Sequence, residues 1–187
     1  MILETEPLPE LGLDDALAFP VEERPLLVAL DEVKDPQNVG AIARAAEGAG
    51  ARALLLTRRR APPLSPALAR ASAGAIEHLD VVRVPNLSRA LRALGERGYW
   101  RLGADGAAEA QPYWAARGLW AAPAVLVLGS EEHGLRPGVA RELDQRLRIP
   151  MRGRIEALNV AAAAAVLLLE AARCREEAGP PTGRGGG

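Results

Sequence analysis

The sequence predicts an α/β domain: a mostly parallel sheet of about six strands flanked by helices. Two observations carry this. Short apolar runs alternate with helical patterns about six times, the order expected of parallel strands joined by crossover helices. The length of 187 residues, 49% of them hydrophobic, suits one domain with a packed core.

The elements follow in chain order. Residues 1–24 hold Pro7, Pro9 and Pro20 among several acids and read as an N-terminal arm or linker, with a short helical piece over 13–18. Residues 26–30 form a wholly apolar buried strand. A helix over 38–49 follows, with Ile42, Ala45, Ala46 and Ala49 on one face and Asn38 as its cap. Residues 53–56 are the next strand, and Arg58, Arg59 and Arg60 open an exposed Pro-containing loop. Ser65 can cap a helix to Arg70, and Asn86 one to Arg97, with a strand over 81–84 between them. Strands are expected at 99–103 and 125–128. Pro137 suits the first turn of a helix reaching Leu143. A short strand over 147–149 ends at Pro150, and a long Ala/Leu helix spans 157–177, its first turn capped near Asn159. The domain is expected over 25–177. Residues 178–187, rich in Gly and Pro, read as a disordered tail.

Composition narrows the function. Net charge is -1 and only 3% of residues are aromatic, which disfavours binding nucleic acid by bulk positive charge or by a base-stacking platform. A local basic face stays possible. Lys34 is the sole lysine. Arginine forks suit phosphate oxygens, and codon bias in a GC-rich genome produces the same preference. The single cysteine, Cys174, permits no internal disulfide, consistent with a reducing compartment. The start is unlike a signal peptide, and the longest apolar run, 160–169, is too short to span a bilayer. A cytoplasmic protein without membrane or metal partners is expected; His133 lacks Cys or His neighbours at ligand spacing.

In parallel α/β sheets, ligands bind beyond the carboxyl ends of the strands, which directs attention to three segments. Leu30-Asp31-Glu32-Val33-Lys34-Asp35-Pro36-Gln37-Asn38-Val39-Gly40 and on to Arg44 turns from strand to helix. Val127-Leu128-Gly129-Ser130-Glu131-Glu132-His133-Gly134-Leu135 follows a strand, with Gly129 allowing close backbone approach to a ligand. Ile149-Pro150-Met151-Arg152-Gly153-Arg154-Ile155-Glu156-Ala157-Leu158-Asn159-Val160 links the last strand to the last helix. Each alone reads equally well as an ordinary connection with a capping Asn or solvated charges. His78 reads as structural, and Trp100, Trp114 and Trp120 as packing or dimer-contact residues.

Together, Asn-x-Gly-x-x-x-Arg, Leu-Gly-x-Glu-x-x-Gly and Ile-Pro-Met with Leu-Asn-Val resemble, in order and separation, the three motifs of the SpoU/TrmH family of RNA 2'-O-methyltransferases. The stretch from Ala71 to Leu79, followed by Arg83-Val84-Pro85-Asn86-Leu87, is similar to the family's middle section. The resemblance covers roughly 25–175. It implies a C-terminal trefoil knot, which no periodicity would reveal. It implies S-adenosylmethionine held by backbone groups of the second and third motifs, at Leu128, Gly129, Ile149, Met151 and Leu158, with Gly103 nearby. It also implies a ribose site built from Asn38, Glu131 and Asn159, with Arg44 entering across a homodimer interface. RNA would be gripped by Arg58, Arg59, Arg60, Arg152 and Arg154. Within the family the chain looks most like members that modify a guanosine in large-subunit rRNA, ahead of the tRNA members. A non-catalytic RNA-binding or ribosome-assembly factor on the same fold is the rival; a protein or small-molecule methyltransferase is disfavoured by the Arg44 motif. Two departures stand out. The usual Ser-Leu-Asn-Val-Ser is Ala157-Leu158-Asn159-Val160-Ala161 here, so activity is lowered, the substrate altered, or a neighbour such as Ser130 compensates. Only a short arm precedes the first strand, where many rRNA-modifying members carry an RNA-binding domain.

Overall fold

The computed structural model describes residues 9–155 and 157–180. Its order is β1 (Glu10–Leu11), α1 (Leu13–Leu17), β2 (Leu26–Asp31), α2 (Pro36–Gly48), β3 (Ala53–Thr57), α3 (Pro66–Ala71), β4 (Asp80–Val84), α4 (Leu87–Glu96), β5 (Trp100–Ala104), β6 (Gln111–Pro112), α5 (Arg117–Trp120), β7 (Ala124–Gly129), α6 (Pro137–Ala140), β8 (Gln145–Arg148) and α7 (Val160–Ala178). The eight strands form one sheet in the order β1-β4-β3-β2-β7-β5-β8-β6, and every pairing is parallel. Six match the expected strands; β1 and β6, two residues each, extend the edges.

Both faces of the central strands are covered, which explains their unbroken apolar runs. Leu26, Val28, Leu30, Leu54, Leu56, Leu126 and Leu128 point into a core shared with α2, α3 and α7. Leu27, Ala29, Leu55, Val125 and Val127 point to the opposite core, with α1 and α4. Gly40 lets α2 lie close on α3: a Cβ there would sit 2.4 Å from the Cβ of Ala71.

Local chemistry sets the helix starts. Ser65 accepts from the amide of Leu68 at 3.3 Å and Asn86 from that of Arg89 at 2.9 Å, as their types predict. In α2 the expectation is corrected: Asp35 caps the helix, accepting from the Gln37 amide at 3.0 Å, with Pro36 in the first turn. Asn38 is one turn in, and its side chain is free for other work. Helix α6 ends at Ala140 rather than Leu143. Strand β8 begins at Gln145, earlier than expected, because its polar residues flank a single buried Leu147.

The described part of the N-terminal arm lies on the sheet. Glu10 and Leu11 pair with Val81 and Val82, Ala16 is buried, and Glu10 accepts from Arg83 Nε at 3.0 Å. Residues 1–8 of the arm and 181–187 of the tail lie outside the described residues. Among the described residues no helix is long and apolar enough to cross a membrane, and no His/Cys/Asp/Glu cluster could hold a metal.

Candidate active site

From β2 the sheet grows one way through β3 and β4 and the other way through β7, β5 and β8. The reversal falls between β2 and β7, and such a switch point opens a crevice at the carboxyl ends of the strands. Two adjoining hollows lie there. The first, of about 200 Å3, is walled by Leu128, Leu147, Ile149, Met151, Leu158 and Leu167, with Ala104, Asp105 and Gly106 at the end of β5. The second, of about 520 Å3, is polar and lies over the ends of β2 and β7; Glu32, Lys34, Asp35, Asn38, Arg60 and Arg136 line it. Ser130, Glu131, Gly134 and Val160 border both.

At Glu131, on that shared wall, three side chains from distant parts of the chain meet; Asn38 lines the polar hollow, and Asn159 lines neither. Glu131 Oε2 accepts from Asn38 Nδ2 at 3.4 Å, and its Oε1 accepts from Asn159 Nδ2 at 2.5 Å and from the Val160 amide at 3.4 Å. Asn159 also donates to Asn38 Oδ1 at 3.0 Å. Its carbonyl oxygen caps α7, accepting from the amides of Ala161 and Ala162 at 2.9 and 3.3 Å. One asparagine thus starts the last helix and ties the third motif to the first two.

The structure sorts the remaining expected residues. Leu128, Gly129, Ile149, Met151 and Leu158 line the apolar hollow, as does Ala157. Gly103 does not. A Cβ at Gly103 would strike Leu143 Cδ1 at 2.3 Å, so it packs toward the other face, and the three residues after it reach the hollow instead. Gly129 is small for a reason other than ligand approach: a Cβ would lie 2.2 Å from the Gly134 carbonyl carbon, so the neighbour it admits is its own loop. Ser130 accepts from the His133 amide at 3.3 Å and stands between the two hollows. Arg44 is exposed, lines neither hollow and pairs with no acid among the described residues. Arg58, Arg59, Arg152 and Arg154 are exposed; Arg60 pairs with Glu32. Trp120 is fully buried, while Trp100 and Trp114 are 42% and 54% exposed.

Sequence reasoning missed an ion pair beside the polar hollow. Asp31, 0% exposed, holds Arg136 through its guanidinium and its backbone N–H. This pairing holds the Arg136 pKa above its ordinary value, and the Arg60 hydrogen bond holds Glu32 below its own. The one available signal was an acid ending an otherwise apolar strand.

The SpoU rRNA Methylase family profile matches residues 25–169. The chain belongs to that family. It is 40% identical over 157 residues to a TrmH family tRNA/rRNA methyltransferase of Bacillus subtilis, YacO, covering 84% of this chain and 62% of the relative. It is 39% identical over 168 residues to the 23S rRNA (guanosine-2'-O-)-methyltransferase RlmB of Vibrio cholerae, covering 90% and 66%. The SpoU chain described here thus spans under two thirds of these relatives' length. Among solved structures it superimposes with a TM-score of 0.77 on an AdoMet-bound rRNA methyltransferase from Sinorhizobium meliloti, at 32% identity and covering 88% of this chain and 61% of that one. It matches the A. aeolicus TrmH/SpoU tRNA modifying enzyme with a TM-score of 0.74, at 26% identity, covering 92% and 90%.

Proposed function

We propose that the chain transfers a methyl group from S-adenosylmethionine to a ribose 2'-hydroxyl of RNA, in 23S rRNA ahead of tRNA, acting in the cytoplasm as a homodimer. One observation carries this: an apolar hollow and a polar hollow share a wall, and Glu131, on that wall, is bound by both motif asparagines. Among relatives, the solved AdoMet-bound rRNA methyltransferase and the curated guanosine-2'-O-methyltransferases support the same reading.

The residues fit the cofactor. Leu128, Leu147, Ile149 and Leu158 can enclose an apolar ring, the strand ends offer backbone donors and acceptors for its edge, and Asp105 and Glu131 offer carboxylates to polar and cationic parts. Bound there, S-adenosylmethionine supplies an electrophilic methyl group on a sulfonium. The ribose belongs in the polar hollow, where Asn38 and Asn159 fix the direction of the Glu131 carboxylate and positioning supplies much of the rate. Side chains with a basic oxygen or nitrogen there are Glu131, Glu132 and His133, with Glu32 and Asp35 on the β2 side of the hollow.

The hollow as one chain forms it has carboxylates at Glu32, Asp35, Glu131 and Glu132 against cations at Lys34, Arg60 and Arg136. A phosphodiester needs more positive charge. Arg44, exposed and without an acid partner among the described residues, suits that role in the site of a second subunit. A guanidinium stays protonated, so Arg44 clamps phosphate and developing alkoxide and is not the base. Arg58 and Arg59, exposed beyond the carboxyl end of β3, and Arg152 and Arg154, exposed beyond that of β8, extend the grip on RNA.

The test is incubation with methyl-labelled S-adenosylmethionine and unmodified 23S rRNA or tRNA, followed by mapping of ribose methylation. A single methylated 23S nucleotide is expected. Cofactor binding without transfer to either RNA would refute catalysis and favour the non-catalytic RNA-binding role that Ala157 leaves open.

A further inference from the structure

Glu131 rides on the loop between β7 and α6, and two devices hold that loop. At its start, Ser130 and Gly134 exchange backbone hydrogen bonds of 3.2 and 2.9 Å, with Gly134 at φ 63 and Gly129 leaving no room for a side chain. At its end stands Arg136, just before α6. Its backbone N–H donates to Asp31 Oδ2 at 2.8 Å, its Nε donates to Asp31 Oδ1 at 2.7 Å, and its Nη2 lies 2.6 Å from the same oxygen. Asp31 ends β2 in register with Gly129 on β7, and its side chain is 0% exposed. Among the described residues the Asp31 carboxylate accepts hydrogen bonds from Arg136 alone.

A buried carboxylate is tolerated only when fully paired, so Asp31 is committed to this one arginine. The next residue, Glu32, takes a left-handed backbone at φ 61, a conformation uncommon outside Gly, Asn and Asp. That turn brings its Oε1 to 3.1 Å from Arg136 Nε and into contact with Arg60. A chain of alternating charge therefore crosses the strand ends and joins the first motif loop, the Glu131 loop and the arginine loop.

We propose that Asp31 and Arg136 are positioning residues: together they clamp the Glu131 loop in the geometry needed at the ribose. The rate effect of this clamp rests on the methyl-transfer reading above; its effect on loop order does not. The molecule supplies its own control. Asp144 holds Arg101 in the same manner, with bonds to the backbone N–H at 2.8 Å, to Nε at 2.9 Å and to Nη2 at 2.6 Å, but just before β8, at the opposite end of the strands.

The experiment compares Asp31→Asn, Arg136→Lys and Asp144→Asn in the full chain. Single-turnover methyl transfer at saturating RNA and S-adenosylmethionine is measured, together with both dissociation constants and amide hydrogen exchange. Asp31→Asn is expected to slow transfer about 30- to 100-fold, the scale of a reacting group displaced by about an ångström. Arg136→Lys keeps the charge but loses the fork, and should slow it about tenfold. Asp144→Asn should stay within about threefold, and all dissociation constants should change by no more than about threefold. Exchange should quicken across residues 130–136 in the first two variants only. The clamp is overturned if Asp31→Asn transfers as fast as Asp144→Asn. It is equally overturned if only RNA affinity falls while the saturated rate holds, which would make Arg136 a phosphate contact. Quickened exchange throughout the chain would show a role in the fold alone. If the wild-type protein methylates no RNA, the transfer reading fails, and exchange at 130–136 still decides whether the clamp exists.

Discussion

Asn159 donates to Glu131 through its amide nitrogen while its carbonyl oxygen caps helix α7. The two ends of one amide thus serve two purposes, and its orientation is fixed: the oxygen must face the helix amides, so the nitrogen faces the carboxylate.

Substitution can separate the two purposes. Asn159→Ala removes both and should cost about 1 kcal/mol of stability as well as activity. Asn159→Asp keeps an acceptor for the cap and adds a charge favoured at a helix N-terminus, but sets one carboxylate against another at Glu131. Its stability should stay within about 1 kcal/mol of wild type while methyl transfer falls about tenfold or more. Denaturant melts and single-turnover rates decide this. An Asn159→Asp enzyme at full rate would show that the contact with Glu131 is incidental.

Helix α2 carries two glycines with opposite expected responses. A Cβ at Gly48 meets nothing within 4 Å, so Gly48→Ala should stabilise by up to about 1 kcal/mol through helix propensity alone. At Gly40 the same gain is overwhelmed, because the added carbon would lie 2.4 Å from Ala71 Cβ and 2.7 Å from its carbonyl carbon. Overpacking of that kind costs about 1–3 kcal/mol. Urea unfolding of both variants is the check, and equal shifts would contradict the close approach of α2 and α3.

The fold was legible because parallel strands buried on both faces leave unbroken apolar runs such as Leu26 to Leu30, and because Ser65 and Asn86 announce their helices. The edges were not. Gln145–Arg148 reads as polar because a single side chain, Leu147, is buried there, and strands of two residues carry no pattern at all. Asn38 looked like a cap; Asp35 with Pro36 captures that role and releases Asn38 to the site. The motifs named Glu131 and Asn159, but the Asp31–Arg136 pair spans 105 positions and has no local signature. Which face Gly103 meets was not legible, because that depends on strand alternation and on its register with Val127 and Arg146.

Tyr99 offers a test on the far side of the sheet. It is 3% exposed and its hydroxyl has no hydrogen-bond partner among the described residues. Burial pushes its pKa up to about 12 from 10.0. The folded state therefore prefers the neutral phenol, and its contribution is full below the unfolded value and lost as pH rises through the folded one. Tyr99→Phe should be neutral or stabilising by about 1 kcal/mol near neutrality, since a phenylalanine has no polar group to desolvate. It should also lessen the alkaline loss of stability. A clear destabilisation by Tyr99→Phe would mean the hydroxyl is bonded after all.

Acid should act in the opposite sense. Hydrogen bonds from Arg60 and Arg92 hold Glu32 and Glu142 below their ordinary 4.5; burial pushes Asp144 up, but the side-chain and backbone hydrogen bonds and the charge of Arg101 together outweigh it and hold Asp144 below 3.8. Each lowered pKa gives stability that is complete above the unfolded value and disappears as pH falls through the folded one. Melting temperature should fall as pH drops from about 5 to about 3, and less steeply in Glu142→Gln. A Glu142→Gln profile identical to wild type would remove the Arg92–Glu142 pair from this account.

The placement of Arg44 makes the sharpest prediction. It is exposed on α2 and lines neither hollow; were it to act within its own chain, no mixture of variants could complement. If it serves the site of a second subunit, Arg44→Ala and Asn159→Ala are each inactive alone for different reasons. A mixed dimer then pairs an intact Arg44 with an intact Asn159 in one of its two sites. Co-refolding the two variants in equal amounts should restore about a quarter of wild-type activity, the statistical yield for a two-fold dimer. Sedimentation should show the dimer in each sample. No recovery from a mixture shown to contain mixed dimers would place Arg44 in its own chain's site or outside the chemistry altogether.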